Sequence, residues 1–462
     1  MSSTGSAVPE PLPISNVSEE MLTFFPHMTP LYKTGTRSYI HYPMQNSDGL
    51  LGLLELSSPV PNLLSLEVVS RLEPAIPLLS VAMLKHRDSF HHKIEKVIKD
   101  KFTALQQSVE WKFAEVAWNS MRNETNDIDT AIVNFNNVYP LYGAVDIRNS
   151  SAERSSAIQK DLKTHLQLID DILDQLHPLM QLPLLEGLKF NNQTVYQSIE
   201  NTMMTEDEVR VNEFLENEVK PVFLHLQKSG GKAQQVVDHY FEMANDNKGN
   251  LYRFQREYEE TLSTINDVVL HYLEQEEEKI QRSYPHYFEK YRTDGIEYNI
   301  YIGQSIAPKH PFDVLYLKNI RLWQLKSMAE VAKITHHLLP SLKVPFQTTQ
   351  LIFIHSQCIS INFRKDERRF DVEGSYNIRY EIIKKRLDKV RIKDTHERLT
   401  QPEKIAMVYS NPKDVQEYQQ YIEFLQNKRI LKPGIEFLEL EELQGVKGLK
   451  AMRVDINLDE TG

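Results

Sequence analysis

The stretch VYPLYGAVDIRNSSAERSSAIQKDL, residues 138–162, places a strand pattern directly before a helix pattern. Val138–Ile147 is rich in β-branched and aromatic residues, which favour extended backbone. Ser150 and Glu153 occupy the two positions of a capping box, in which the serine oxygen accepts from a helix amide and the glutamate reaches back. We therefore expect a long helix that begins near Ala152, directly after the strand.

Strand and helix patterns continue on both sides of this stretch. Upstream, Ser38–Met44 and Leu50–Leu56 flank an Asn-Ser-Asp-Gly turn, which predicts a β-hairpin. Downstream, the chain is helix-rich from about 152 to 290, and from about 296 strand patterns alternate with helix patterns. Together these patterns predict an α+β protein.

The patterns divide the chain into five segments. Residues 1–29 form a Ser/Pro-rich flexible leader, which lacks the basic and apolar blocks of a secretory signal. Residues 30–150 form an α/β segment with long helices, and residues 151–292 form a helical region. Residues 293–457 form a C-terminal α+β domain, and 458–462 a loose tail.

Composition excludes several classes of protein. The formal net charge of −11 argues against a nucleic-acid binder, which usually presents a basic face. No apolar run approaches the roughly 18 residues that a membrane span needs. Cys358 is the only cysteine, so an intrachain disulfide and a cysteine-rich zinc site are excluded, and its apolar β-like surroundings predict a buried core thiol. We expect a cytoplasmic protein.

Several long motifs resemble one known group of proteins. They are GLLGLLELSSP (49–59), SVEWKFAEVA (108–117), the opening stretch (138–162), FDVEGSYNIRYEIIKKRLDK (370–389) and ERLTQPEKIAMVYS (397–410). Between about residue 30 and residue 457 the chain resembles uncharacterised bacterial GAF-domain-containing proteins. The resemblance implies a partial GAF-like fold over 30–150, and the group itself carries over no activity to this chain. GAF domains bind small molecules such as cyclic nucleotides, or bilins through a cysteine, and residues 1–357 contain no cysteine for bilin attachment.

A tetrapeptide recurs as HYFE (239–242), HYLE (271–274) and HYFE (286–289). On a helix, His and Glu three residues apart share a face and could both bind a metal. The candidate ligands are His239, Glu242, His271 and Glu274. Di-iron bundles use the reverse order, Glu-x-x-His, so we favour ordinary surface pairs beside an apolar seam. Pro285 predicts that the third copy begins a new helix.

A second candidate is a basic region with interleaved aromatic residues. Its cations are Arg364, Lys365, Arg368, Arg369, Lys384, Lys385 and Arg386. They could bind an anion or an acidic partner, but interspersed acidic residues are typical of a salt-bridged, solvated face. A third candidate is the polar turn of Asp146, Arg148 and Ser150, which could hold an anion at the start of a helix. The favoured alternative there is an ion pair that fixes the turn.

The function prediction follows from the lack of a catalytic signature. Phosphate-binding loops, nucleophile elbows and zinc-protease motifs are absent from the sequence, and we expect no cofactor and no catalytic residue. An apolar seam from Leu251 to Tyr272 could mediate a homodimer or could pack inside the monomer. We predict a non-catalytic regulatory or scaffold protein that acts through protein–protein contacts, with small-molecule sensing as an added role. The alternatives are a metal-dependent enzyme with a His/Glu site in the helical region, and a structural component of a larger cytoplasmic assembly.

Overall fold

The computed structural model describes residues 11–46, 49–85, 106–122, 133–180, 182–201, 203–244, 251–364, 369–373, 380–381, 383–384, 387, 390–443 and 448–459. The chain forms two compact units. The N-terminal unit comprises Met1–Leu105 and Glu110–Ala131, and the C-terminal unit comprises Gln106–Val109 and Ile132–Gly462. Helices and strands are both abundant, which confirms the predicted α+β class.

The N-terminal unit contains a small antiparallel sheet. Its elements are β1 (Leu12–Ile14), α1 (Glu19–Phe24), α2 (Thr29–Lys33), β2 (Ser38–Asn46), β3 (Gly49–Ser58), α3 (Leu66–Leu72) and α4 (76–85), and α5 (Gln107–Arg122) belongs in part to each unit. Strand β2 pairs with β3, which confirms the predicted hairpin. Strand β1 pairs with β2, so these three residues of the predicted flexible leader belong to the sheet.

Helices dominate the first half of the C-terminal unit. They are α6 (Ser150–Leu176), α7 (Pro183–Ser198), α8 (Thr205–Phe214), α9 (Lys220–Gln227), α10 (Gly231–Met243) and α11 (Arg253–Gln281). Helices α6 to α10 enclose an apolar core that includes Leu166, Ile169, Phe223 and Val237. The predicted helical region therefore ends at Gln281, before the predicted boundary at residue 292.

A mixed sheet forms the centre of the C-terminal unit. Its elements are β4 (Asn134–Ile147), β5 (Tyr287–Arg292), β6 (Ile296–Ile302), α12 (Val314–Leu338), β7 (Thr348–Ile354), β8 (Ile359–Arg364), β9 (Arg369–Glu373), β10 (Lys404–Tyr409), α13 (Lys413–Asn427), β11 (Glu436–Glu439) and β12 (Lys450–Asp455). The strand order is β11-β12-β10-β7-β4-β6-β5, and β8 pairs with the start of β4 and with β9. Strand β4 was predicted within the first α/β segment, but it lies in this sheet.

One face of the sheet packs on helices α11, α12 and α13. Its apolar residues alternate along the strands, as in Leu141 and Val145 of β4 and Ile300 of β6. Gly143 lies between them because a Cβ there would come within 2.5 Å of Met328 and Tyr298. The predicted 251–272 seam also packs here, since Tyr258, Ile265 and Val269 are buried in this core. The seam therefore forms the interior of the unit.

The opposite face of the sheet is more polar. Alternation places Tyr142 of β4, Asn299 of β6 and Phe353 of β7 on this face. Residues from the 380–399 segment cover part of it, and Tyr380 stacks on Phe353 with ring centroids 5.4 Å apart. This face positions the polar cluster described next.

Candidate functional site

The third HYFE copy lies in and just before a strand. His286 precedes β5 and Glu289 lies within it, so the predicted new helix at Pro285 is wrong. Along the strand, positions three apart point to opposite faces of the sheet. His286 Nε2 lies 3.7 Å from Glu277 of α11, whereas Glu289 lies on the polar face beside Asn299. The two side chains cannot bind one ion.

The other two copies lie on helices, as predicted, but their His and Glu side chains lie on two different helices and are exposed. His239 and Glu242 lie on α10, and His271 and Glu274 lie on α11. Glu274 forms an ion pair with Lys290, and the His271 ring contacts the Gln275 amide at 2.9 Å. Among the residues that the structure describes, no group of three or more His, Cys, Asp or Glu side chains is arranged to hold a metal ion.

The basic region is placed in part. Lys365, Arg368, Lys385 and Arg386 lie outside the described residues. Arg364 pairs with Asp371 at 2.9 Å across the β8–β9 hairpin. Lys384 pairs with Glu381 at 2.8 Å, and Arg369 lies near the Glu289 carboxylate. The described cations therefore have acidic neighbours. This arrangement agrees with the salt-bridged face that the sequence offered as the alternative to an anion-binding site.

Lys384 and the third HYFE copy meet in one place, which we call the Glu289 cluster. Its members are Tyr287, Glu289, Tyr291, Asn299, Tyr301, Tyr380 and Lys384. Lys384 Nζ lies 3.4 Å from Asn299 Oδ1 and 5.9 Å from the centre of the Tyr380 ring. Tyr287 and Tyr301 stack with ring centroids 6.2 Å apart. Aromatic rings, the Asn299 amide and the Lys384 ammonium group thus lie around the Glu289 carboxyl group, and Glu381 pairs with Lys384.

Burial controls the charge of this carboxyl group. Glu289 is 8% exposed, and desolvation raises its pKa, against the opposing effects of a Tyr291 hydrogen bond and the charges of Lys384 and Arg369. Glu289 Oε2 and the Tyr380 hydroxyl are both buried without a hydrogen-bond partner. Burial therefore favours the neutral form of this carboxyl group, and its free oxygen can receive a hydrogen-bond donor.

The polar turn after β4 is held by contacts within the chain. Asp146 Oδ2 accepts from Arg398 at 2.7 Å, and Arg148 Nη1 donates to the Thr400 carbonyl at 3.0 Å. Ser150 Oγ donates to Asp294 at 2.7 Å. Ser150 is already helical and no side chain caps α6, so the predicted capping box is wrong. These contacts tie the turn to neighbouring loops, and the ion pair of Asp146 forms with a distant arginine.

A polar network that the sequence did not reveal lies where the parallel strands β7 and β10 end. Arg321 of α12 is buried and pairs with Glu417 of α13 at 3.0 Å. Burial lowers the pKa of nearby His355 to about 4. Cys358 follows in the loop after β7, where its thiol and the Tyr139 hydroxyl form a hydrogen bond. Cys358 is exposed, so the predicted buried thiol is wrong.

Comparisons with known proteins assign no relationship. No protein-family model matches the chain, and no curated protein was found to be similar to it. The resemblance to GAF-domain-containing proteins therefore stays a prediction. None of the described helices combines the length and the apolar character that crossing a membrane requires.

The residues of the Glu289 cluster come from distant parts of the sequence. The alternation Tyr287-x-Glu289-x-Tyr291 has the period of a strand, and it was the available signal that these side chains share a face. Tyr380 and Lys384 reach the same face only through the tertiary fold, so spacing alone could not have placed them there.

Proposed function

We propose that this chain is a non-catalytic regulatory or scaffold protein that acts through protein–protein contacts. The observation that carries the proposal is the apolar surface of the N-terminal unit. Leu50 is 58% exposed, Leu53 48%, Leu66 72% and Leu78 74%. Large apolar side chains that are exposed in number are suited to binding a partner, because soluble proteins otherwise keep exposed apolar surface small.

Strand β3 offers a second reason. It is the outer strand of its sheet, it has ten residues, and among the described residues only β2 pairs with it. An outer strand presents unpaired backbone donors and acceptors, and natural proteins usually protect it with charges, prolines or short length. Glu55 is the only charged residue in β3, and within the described part of the chain no second strand pairs with its outer edge.

The partner that fits this edge best is a second copy of the chain. If two copies of β3 pair antiparallel about a twofold axis at Leu53, Leu53 faces its own counterpart and Leu54 faces Gly52. Glu55 then faces Leu51, so the two carboxylates do not face each other. A pair of leucines lies at the centre, so the strand can pair with itself. The proposed form is a homodimer in which the two small sheets become continuous.

Light scattering after size exclusion, over a dilution series, tests the proposal. We expect a dimer that dissociates on dilution, and a monomer at every concentration for Leu53→Lys. Leu184→Lys is the matched control, since Leu184 is 64% exposed on α7 of the C-terminal unit, and it should leave the dimer intact. A monomeric wild-type chain, or a dimer that tolerates Leu53→Lys, would refute β3 pairing.

The Glu289 cluster favours small-molecule sensing as a second function. Its unpartnered carboxylate oxygen is buried, and such an atom costs free energy unless something donates to it. Glu289→Gln removes the charged form that burial disfavours, so the variant should be more stable than the wild type without ligand. If Glu289→Gln instead destabilises the protein, the carboxyl group has a structural role. The exposed Glu274→Gln controls for loss of a charge.

A further inference from the structure

A groove between helices α6 and α7 lies apart from the sites described above. Leu166, Gln167 and Asp170 line it from α6, and Asn192, Gln193, Tyr196 and Gln197 line it from α7. Its volume is about 320 Å³, within the range of small-molecule pockets. On each helix the lining residues include pairs three and four positions apart, which share a face.

Asn192 gives the groove a buried, unused acceptor. The side chain is 1% exposed, and its Nδ2 donates to the Leu166 carbonyl at 2.9 Å. The other end of the amide, Oδ1, has no hydrogen-bond partner. Buried polar atoms are almost always paired, so an unpaired acceptor in the wall of a groove points to a ligand that donates to it.

The remaining lining is polar and offers both donors and acceptors. Gln167 Nε2 donates to the Tyr196 hydroxyl at 3.1 Å, and Gln193 Nε2 lies 3.4 Å from Asp170 Oδ1. Gln197 adds a further amide at the exposed rim. Side-chain amides and hydroxyls can each donate and accept, so they match a ligand whose groups do the same.

Charge narrows the class of ligand. Among the described residues that line the groove, only Asp170 is charged, and Lys189 lies 3.8 Å from its carboxylate. An anion would be repelled by Asp170, and a cation would compete with Lys189 for the same group. A neutral ligand is not repelled by Asp170 and does not compete with Lys189.

We infer that this groove binds a neutral polyhydroxylated molecule, a sugar or a polyol, one hydroxyl of which donates to Asn192 Oδ1. Each hydroxyl of such a ligand donates and accepts, as the amides of Gln167, Gln193 and Gln197 require. The Tyr196 ring supplies an apolar body beside its polar tip, which suits the carbon skeleton of a sugar. The inference does not depend on dimerisation through β3.

Saturation-transfer NMR and calorimetry on the full chain test this site. The probes are glucose, galactose, mannose, maltose and sorbitol, with N-acetylglycinamide as a neutral amide of comparable polarity. We expect at least one of the five polyhydroxylated probes to bind saturably. Asn192→Leu should weaken that binding at least tenfold, about 1.4 kcal/mol, because the hydroxyl loses its acceptor.

Two further variants keep the test decisive if Asn192→Leu does not fold. Gln193 and Gln197 are exposed, so Gln193→Ala with Gln197→Ala should leave the fold intact and still weaken binding several-fold. Gln235→Ala, at an exposed position on α10, is the matched control and should bind as the wild type does. Absence of saturable binding by all five probes, binding of N-acetylglycinamide alone, or unchanged binding by the Gln193/Gln197 variant would overturn the inference.

Discussion

The two sheets of this protein treat their outer strands differently. In the C-terminal sheet, the outer strand β5 is bonded by Gln106, whose side chain donates to the Phe288 carbonyl and accepts from the Phe288 amide at 2.8 Å. The opposite outer strand, β11, has only four residues, two of them glutamates. In the N-terminal sheet, β3 has ten residues, five of them leucines, and no described side chain is seen to bond its outer edge as Gln106 bonds β5.

The two sheets also differ in what their apolar side chains do: in one they form a core, and in the other they stay exposed. In the C-terminal sheet, apolar residues of one face are buried against three helices, where they stabilise the unit. In the N-terminal sheet, leucines remain half-exposed or exposed, so they add little to the stability of the monomer. A sheet with closed edges forms a core, and a sheet with an open apolar edge is suited to association.

The largest expected effect tests this contrast directly. Phe288→Ala removes a side chain that is 3% exposed in the C-terminal core, and we expect a loss of about 3–5 kcal/mol in the free energy of unfolding. Leu53→Ala in the N-terminal sheet should change it by less than about 0.5 kcal/mol at protein concentrations where the chain is monomeric. Urea unfolding followed by circular dichroism measures both. Similar losses from the two substitutions would show that the N-terminal leucines also form a core.

The next effect concerns the charge pair at the ends of β7 and β10. Glu417→Ala leaves the Arg321 guanidinium buried without its carboxylate partner, and we expect a loss of about 3 kcal/mol. The matched control is Glu260→Ala, which breaks the exposed pair with Lys343 and should cost less than about 1 kcal/mol. Urea unfolding of both variants provides the comparison, and equal losses would contradict the buried role of Arg321.

A smaller effect should appear in the dependence of stability on pH. Burial lowers the pKa of His286 to about 4, whereas the unfolded value is 6.5. Between these values the unfolded chain binds more protons, so this contribution is complete above pH 6.5 and falls as the pH drops toward 4. His286→Gln should therefore flatten the pH dependence by about 1.4 kcal/mol per pH unit in this window.

Thermal unfolding at pH 7 and at pH 5 measures that slope. His271→Gln replaces an exposed histidine of the same tetrapeptide and should leave the slope as in the wild type. If His286→Gln and His271→Gln give the same slope, the third copy of the repeat is not buried as described.

The smallest effect concerns the protected edge itself. Gln106→Ala removes two hydrogen bonds to Phe288, and we expect a loss of about 1 kcal/mol. The exposed Phe288 amide should exchange its hydrogen faster, because no group replaces the lost acceptor. Hydrogen exchange by NMR measures this, with Gln275→Ala on α11 as the control. Unchanged exchange at Phe288 would show that the edge of β5 needs no protection.

Sequence patterns predicted the fold best where the signal was local. The hairpin of β2 and β3 and the passage from β4 into α6 follow from strand periodicity, turn residues and helix periodicity. Predictions failed where the tertiary environment decides. Ser150 donates to Asp294 from a distant loop, and Cys358 is exposed because its apolar run is interrupted by a turn between two strands.

The candidate sites were harder to predict for the same reason. A His and a Glu three positions apart share a face on a helix but point to opposite faces on a strand. The third tetrapeptide was predicted to be helical, so its two side chains were wrongly expected to share a face. The burial of Glu289 depends on Tyr380 and Lys384, and the groove at Asn192 depends on how α7 packs against α6. The spacing of residues in the sequence predicts neither the burial of Glu289 nor the groove at Asn192.

Strand β4 also has a consequence for how the chain reaches its native state. Its Tyr142 pairs with Phe353 of β7, and all of the helices α6 to α12 lie between these two residues in the sequence. Closing so long a loop is slow, whereas helices that contact their sequence neighbours form quickly. During synthesis, β4 leaves the ribosome well before β7 exists, so the helical bundle has time to assemble while this strand still awaits its neighbour.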